Sequence, residues 1–219
     1  MSAFPPHVTH ELEGWLLWWA DLSLERGHEG ALAELRLAVA ERARASHRAE
    51  GASAHPAGQA VRRLFRQAGC DPTRYRHSSE ALLRRILKGE DLPAIHPLVD
   101  LNNCLSVELL VPSCVMAVGS AEPPFVLRRG LPGERMLSLR GPFDLEGKPL
   151  LADARGPFGT PITDSERVRV SETTARAWLV AYLPEGYVSE ECVASALGAL
   201  LRDAPVAQVE ETATTRLAA

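Results

Sequence analysis

Between Leu150 and Val170 the chain reads LLADARGPFGTPITDSERVRV, and within it Thr160, Thr163, Asp164, Ser165 and Glu166 gather hydroxyls and carboxylates in a few positions. Neighbouring carboxylates of this kind suit the placing of a water molecule and the movement of its proton. Gly156 and Gly159 let a backbone approach a ligand and expose its N–H groups, and Pro157 and Pro161 hold such a loop in one shape. Asp164 and Glu166 are therefore the candidate catalytic groups. Gly159, Thr160, Thr163 and Ser165 are the candidate substrate contacts, with N–H groups near Gly159–Thr160 facing a carbonyl oxygen. The competing reading is a proline-rich connection between sheet edges. No Ser–His–Asp set or nucleophile elbow is visible, which points to direct attack by water and away from a covalent route.

The elements that must position this loop follow from periodicity. The spacing Leu12, Trp15, Leu16, Trp19, Leu22 predicts a helix after a loose start over residues 1–10. A second helix follows Gly30, with Leu32, Leu35 and Val39 on one face. A third runs from Pro56 to Ala68 and stops at Gly69. Ser78 or Ser79 caps a helix over Glu80–Lys88, and Pro97 opens another through about Leu110. On that last helix Asp100 reads as a capping or pairing group, with a catalytic role as the alternative, and His96 as a structural residue at its start.

The period then changes to two. Strands are predicted at Cys114–Val118, Phe125–Arg129, Arg135–Arg140, Leu150–Ala152, Arg167–Val170 and Ala177–Leu183. Ser189 caps a closing helix, and residues 205–219 read as a polar tail. The fold class is α+β, with N-terminal helices ahead of a mostly antiparallel sheet with packed helices. The expected organisation is a helical extension over 1–75, a domain over 76–203 and a tail over 204–219.

Composition bounds the function. The 219 residues are 46% hydrophobic and 24% charged, ordinary for a soluble globular chain. No run approaches the ~18 apolar residues of a membrane span, and Trp15–Ala20 is too short for a signal-peptide core. Cys70, Cys104, Cys114 and Cys192 are scattered, and the seven histidines are dispersed, so neither metal nor cofactor is expected. Reduced thiols point to the cytoplasm. Net charge is −4, yet residues 60–88 carry +6 and the remainder −10. Arg62, Arg63, Arg66, Arg84, Arg85 and Lys88 could form a face that grips a phosphate backbone. Alternatively they are a solvated arginine-rich surface.

Five segments, SSEALLRRILKG, LPAIHPLVDLNN, the LPGE turn, LADARGPFGTPITDSERVRVSETT and LPEG, occur in an order that resembles the B3/B4 domain. This is the editing module of the bacterial phenylalanyl-tRNA synthetase β chain, also found as freestanding proteins. The resemblance spans about His77 to Tyr187. It implies hydrolysis of the ester joining a wrong amino acid to tRNA, in a site between the helix holding Asn102 and Asn103 and the loop ending at Glu166. Asn103 matches an asparagine that contacts the amino acid, and Asn102 stands where the synthetase usually has threonine. Glu166 matches a glutamate that reads the misplaced side chain. Cys114 falls where the synthetase has a histidine, which removes a proton-carrying group. The expected partner is a mischarged tRNA. The alternatives are a tRNA- or RNA-binding module without catalysis, and a small-molecule amino-acid-binding or hydrolase domain using the same pocket.

Overall fold

A computed structural model describes residues 4–48, 51 and 54–217. The remaining ends of the expected loose start and polar tail, and part of the expected 1–75 extension, lie outside the described residues. Helices with strong local signals stand where the pattern puts them. They are α1 (Glu29–His47), α2 (Pro56–Ala68), α3 (Ser78–Leu87), α4 (Pro97–Leu109) and α5 (Glu190–Asp203). Pro56 and Pro97 occupy first turns, and Gly69 ends α2 in the left-handed conformation at φ 92°. Ser189 caps α5 by accepting from the Cys192 amide. The cap of α3 is His77, whose Nδ1 accepts from the Glu80 amide, and not Ser78 or Ser79.

The first predicted helix is a strand. After β1 (Val8–His10), residues Trp15–Leu24 form β2. They lie between β10 (Ala207–Arg216) and β9 (Arg176–Pro184) in a central antiparallel sheet whose last strand is β3 (Ser113–Ala117). In β2, Leu16, Trp18, Ala20 and Leu22 face α1, α3, α4 and α5, while Trp15, Leu17 and Trp19 face the other way. A strand covered on both faces is apolar at nearly every position, so any helical subset of positions looks apolar too. The competing period is an accident of that double burial.

A second sheet, ordered β1, β4 (Phe125–Arg129), β7 (Pro149–Asp153) and β8 (Gly156–Gly159), is antiparallel except for the parallel β1–β4 pair. It packs with α2 on the Trp19, Trp178 and Tyr182 face of the central sheet, giving a helix–sheet–sheet order of layers. Trp19 and Trp178 meet edge to face at 6.4 Å. A hairpin, β5 (Arg135–Ser138) with β6 (Gly141–Asp144), projects beside β8.

Two more expectations change. The strand predicted at Arg167–Val170 is a 3₁₀ turn at Glu166–Val168, capped by Ser165. The polar tail is β10, an edge strand paired along the length of β2. The central sheet therefore runs across both expected divisions of the chain, at 75/76 and 203/204. The α+β class holds, with strands in place of one N-terminal helix.

Candidate functional site

Asp100 sets the start of α4: its Oδ1 accepts from the amides of Ile95 (2.9 Å) and His96 (3.3 Å), and its Oδ2 from Arg36 (3.1 Å). His96 caps the same helix through the Leu98 amide. Both residues are thus structural at this point, as their types suggest. At the other end Leu110 turns left-handed at φ 51° and sends the chain back into β3. That conformation costs a non-glycine residue roughly 1–2 kcal/mol. The reversal brings Ser113 beneath Asn102, whose Nδ2 donates to the Ser113 carbonyl at 3.3 Å. A carbonyl only accepts, so this bond orients the amide and leaves Asn102 Oδ1 buried without a partner.

The acidic loop is tied from both sides. Thr160 Oγ1 accepts from the amides of Ile162 and Thr163 and donates to the Thr163 carbonyl. The Ser78 amide donates to the Pro161 carbonyl, and the Leu139 amide to the Asp164 carbonyl. Loop 160–164 is therefore held against the start of α3 and the β5–β6 hairpin.

These elements enclose a cavity of about 510 Å³ whose wall includes Asn102, Asn103, Ser113, Thr163 and Asp164, with Ser78 at the start of α3. Small-molecule sites fall in this size range. Val99, Val115, Ile162 and Val168 supply apolar wall. Three oxygens of the lining residues, Asn102 Oδ1, Ser78 Oγ and Asp164 Oδ1, are buried and unpaired. Such atoms are unfavourable while nothing donates to them. Arg76, Arg85, Arg140 and Arg169 also line it.

Asp164 is half-buried as a residue, but its Oδ1 is shut off from solvent. Burial pushes its carboxyl up to about 7, against the opposing pull of the Cys114 thiol and the Thr160 backbone. Behind it, Asp164 Oδ1, the Tyr182 hydroxyl and Cys114 Sγ lie 3.2, 3.4 and 4.0 Å from where a Cβ on Gly159 would stand. Burial, then the adjacent Asp164, raises the Cys114 thiol. It is a poor nucleophile there.

The structure sorts the sequence candidates. Asn102, Asn103, Thr163 and Asp164 share the cavity wall. Gly159 and Cys114 stand behind Asp164. Thr160 uses its hydroxyl within the loop, and its amide donates to the Thr163 carbonyl at 3.1 Å, so that N–H does not face a substrate carbonyl. Ser165 donates to the Leu137 carbonyl and caps the 3₁₀ turn. Glu166 is exposed and absent from the wall, a correction to its pairing with Asp164: the 3₁₀ turn directs Val168 and Arg169 to the cavity instead.

The basic residues are also tied down. α2 packs mainly into the core shared with the second sheet and α3 with α1 and α4, and the two helices meet where Arg62 reaches Glu80. Arg62 is held by the buried Glu80 at 2.8 Å, and Arg63 by the Tyr187 hydroxyl and ring. Arg85 pairs with Glu90 at 2.9 Å and reaches the cavity. Arg66, Arg84 and Lys88 are exposed.

Glu80 receives Arg62 at 2.8 Å and Arg76 at 3.7 Å, beside His77. Glu80→Ala would strand these cations next to the core. A loss of about 3–5 kcal/mol in urea unfolding is the expected result.

Arg140, Arg169 and Tyr182 have no local signature. Folding of the hairpin, the 3₁₀ turn and β9 brings them to the site. Of the four lining arginines, Arg76 and Arg85 fall within the local charge excess.

Among the described residues, no helix is long and apolar enough to cross a membrane. A family model described as the B3/4 domain matches residues 60–193. No curated protein matches the chain. Among solved structures, an N-terminal fragment of the phenylalanyl-tRNA synthetase β-subunit from Pyrococcus horikoshii is similar over 98% of this chain at 13% identity, with a TM-score of 0.48. The chain covers 55% of that fragment, about half its length.

Proposed function

The chain belongs to the B3/4 domain family, and from that premise we propose that it is an aminoacyl-tRNA deacylase, hydrolysing the ester of a mischarged tRNA in the cytoplasm. One observation carries the reading. A single cavity combines unpaired buried acceptors, a carboxyl raised to about 7 and four arginines. The acceptors suit the ammonium group of an amino acid, and the arginines suit the phosphates of the RNA to which it is esterified.

An aminoacyl ester is already activated, so the protein has to position a water and stabilise charge. In this reading ionised Asp164 takes a proton from water as the water oxygen attacks the ester carbon. The Asn103 amide, which has no competing hydrogen bond among the described residues, donates to the oxygen that becomes negative. Collapse breaks the bond to the ribose oxygen, and that oxygen recovers the proton from Asp164. Free amino acid and tRNA result. Asn102 Oδ1 and Ser78 Oγ receive the ammonium group, and a polar or cationic side chain is preferred over an apolar one that would leave cavity acceptors unpaired.

The direct test is a panel of mischarged tRNAs incubated with the protein, following loss of the ester. At least one should be deacylated at a rate that saturates with protein, and none above the spontaneous rate would overturn the reading. Asn103→Ala should lower the maximal rate by about 10²–10³, the usual effect of removing one donor to a developing oxyanion. Arg140→Ala and Arg169→Ala should each reduce the slope of log affinity against log salt by about 0.7, with little dependence on RNA sequence. A flat salt dependence in the unmodified protein would favour a small-molecule ester as substrate.

A further inference from the structure

The wall behind Asp164 contains more buried polar chemistry than the proposed reaction uses. Cys114 comes from β3 and Tyr182 from the neighbouring β9, on the face turned towards the second sheet. Both are buried, and the Tyr182 hydroxyl, like Asp164 Oδ1, has no hydrogen-bond partner among the described residues. A tyrosine hydroxyl in a core otherwise built of Trp15, Phe65 and Phe158 would be served better by phenylalanine if packing were its only task.

The three polar atoms converge on the space that a side chain at residue 159 would begin to fill. Oδ1 of Asp164 and the Tyr182 hydroxyl lie 3.2 and 3.4 Å from the position a Cβ would take, with Cys114 Sγ at 4.0 Å. Gly159 closes the β7–β8 pair and forms a bridge to Asp164. Its backbone does not demand glycine through a left-handed φ, so the missing side chain is best explained by this approach.

We propose that Tyr182 and Cys114 are positioning residues for Asp164, the phenol donating to the thiol sulfur and the thiol donating to the carboxylate. The proposal rests on the deacylase reading for its function, but the three groups converge beside Gly159 whether or not that reading holds. The thiol and the phenol each have one hydrogen to give and the ionised carboxylate can only accept, so Asp164 is the end point of the chain. The donor to Asp164 steadies its ionised form in a place where burial opposes ionisation, as the direction of the Cys114 effect indicates. Other charged groups lining the same cavity are Arg76, Arg85, His96, Arg140, Arg169 and Glu172. None of them lies on β3 or β9, so changes at Cys114 and Tyr182 leave them in place.

The test reads the carboxyl directly, by carbon NMR of protein labelled at aspartate Cγ, with Asp164→Asn identifying the resonance. Cys114→Ala should move the titration midpoint of Asp164 up by about one pH unit, and Cys114→Ser, which restores a donor, should bring it back. Tyr182→Phe should move it up by less. Gly159→Ala should displace it as well, by wedging the groups apart. The pH midpoint of deacylation should follow the same order. A midpoint unmoved in folded Cys114→Ala and Tyr182→Phe proteins overturns the inference, and should Cys114→Ala not fold, Tyr182→Phe decides alone. Absence of deacylation by unmodified protein would instead count against the functional reading, since the NMR titration needs no substrate.

Discussion

Asp164→Asn is expected to reduce deacylation by about 10²–10⁴, the contribution of a placed general base, while making the fold more stable at alkaline pH. The two effects have one cause. In the folded chain burial raises this carboxyl from 3.8 to about 7. Between roughly pH 4 and 7 the folded state keeps a proton that the unfolded chain has released. Folded-state stability contributed by this group is therefore complete below pH 4, falls as pH rises through that window, and stays at its lowest above 7. Asparagine carries no charge to bury, so the variant should match the parent near pH 4 and exceed it at pH 8.

The gain is bounded by about 4 kcal/mol, since a tenfold change in a proton-binding constant corresponds to about 1.4 kcal/mol. Burying the amide in place of the protonated carboxyl will offset part of it. Urea unfolding at pH 5 and pH 8 makes the comparison. An advantage that fails to grow between the two would mean that Asp164 is not held protonated, and the carboxylate would then be an ordinary ligand contact. Deacylation by the parent should rise with pH to a plateau above about 7, after subtraction of spontaneous ester hydrolysis, because the ionised form is the base.

Ending the chain at Pro205 should abolish the folded state or lower the midpoint of thermal unfolding by about 10 °C or more. A truly polar tail could be removed silently. Here the deletion removes β10, which pairs with β2 from Ala207 opposite Leu24 to Arg216 opposite Leu16. It also removes the Thr215 hydroxyl that bonds Trp19 Nε1 at 3.2 Å and His10 Nε2 at 3.1 Å. Val206, 1% exposed, leaves the core with it.

Truncation turns β2 into an edge strand with unpaired backbone groups along WLLWWA, a ready template for aggregation. A loss of several kcal/mol corresponds to a change of this size in a chain of about 200 residues, at roughly 2–4 °C per kcal/mol. Circular dichroism with a melting curve, alongside the soluble fraction after expression, checks it. A truncated chain that melts with the parent would show β10 to be dispensable.

The same strand shows where sequence reading stops. β10 pairs with a partner nearly the whole chain away, and its exposed Thr- and Glu-rich stretch buries too little to display an alternating pattern. β2 fails for the opposite reason, since both faces are buried and every period fits. By contrast Pro56 with Gly69, Pro97, and Ser189 mark helix ends through local backbone chemistry that needs no distant partner.

At the site the resemblance and the loop composition picked out Asn102, Asn103, Thr163 and Asp164, which share one wall. They could not choose between Asp164 and Glu166. Two positions along a turning backbone decide whether a carboxylate faces a cavity or water, and the 3₁₀ turn set by the Ser165 cap makes that choice.

What the order of amino acids determined, then, is what neighbours along the chain can settle: helix ends, the change to a two-residue period, the local excess of positive charge and an acidic loop rich in glycine and proline. Tertiary structure alone decided which carboxyl is buried, that Cys114 and Tyr182 stand behind it, and that Arg140 and Arg169 share its cavity. Those properties depend on desolvation and on distances between segments far apart in the chain, and neither exists until the two sheets and the helical layer close around them.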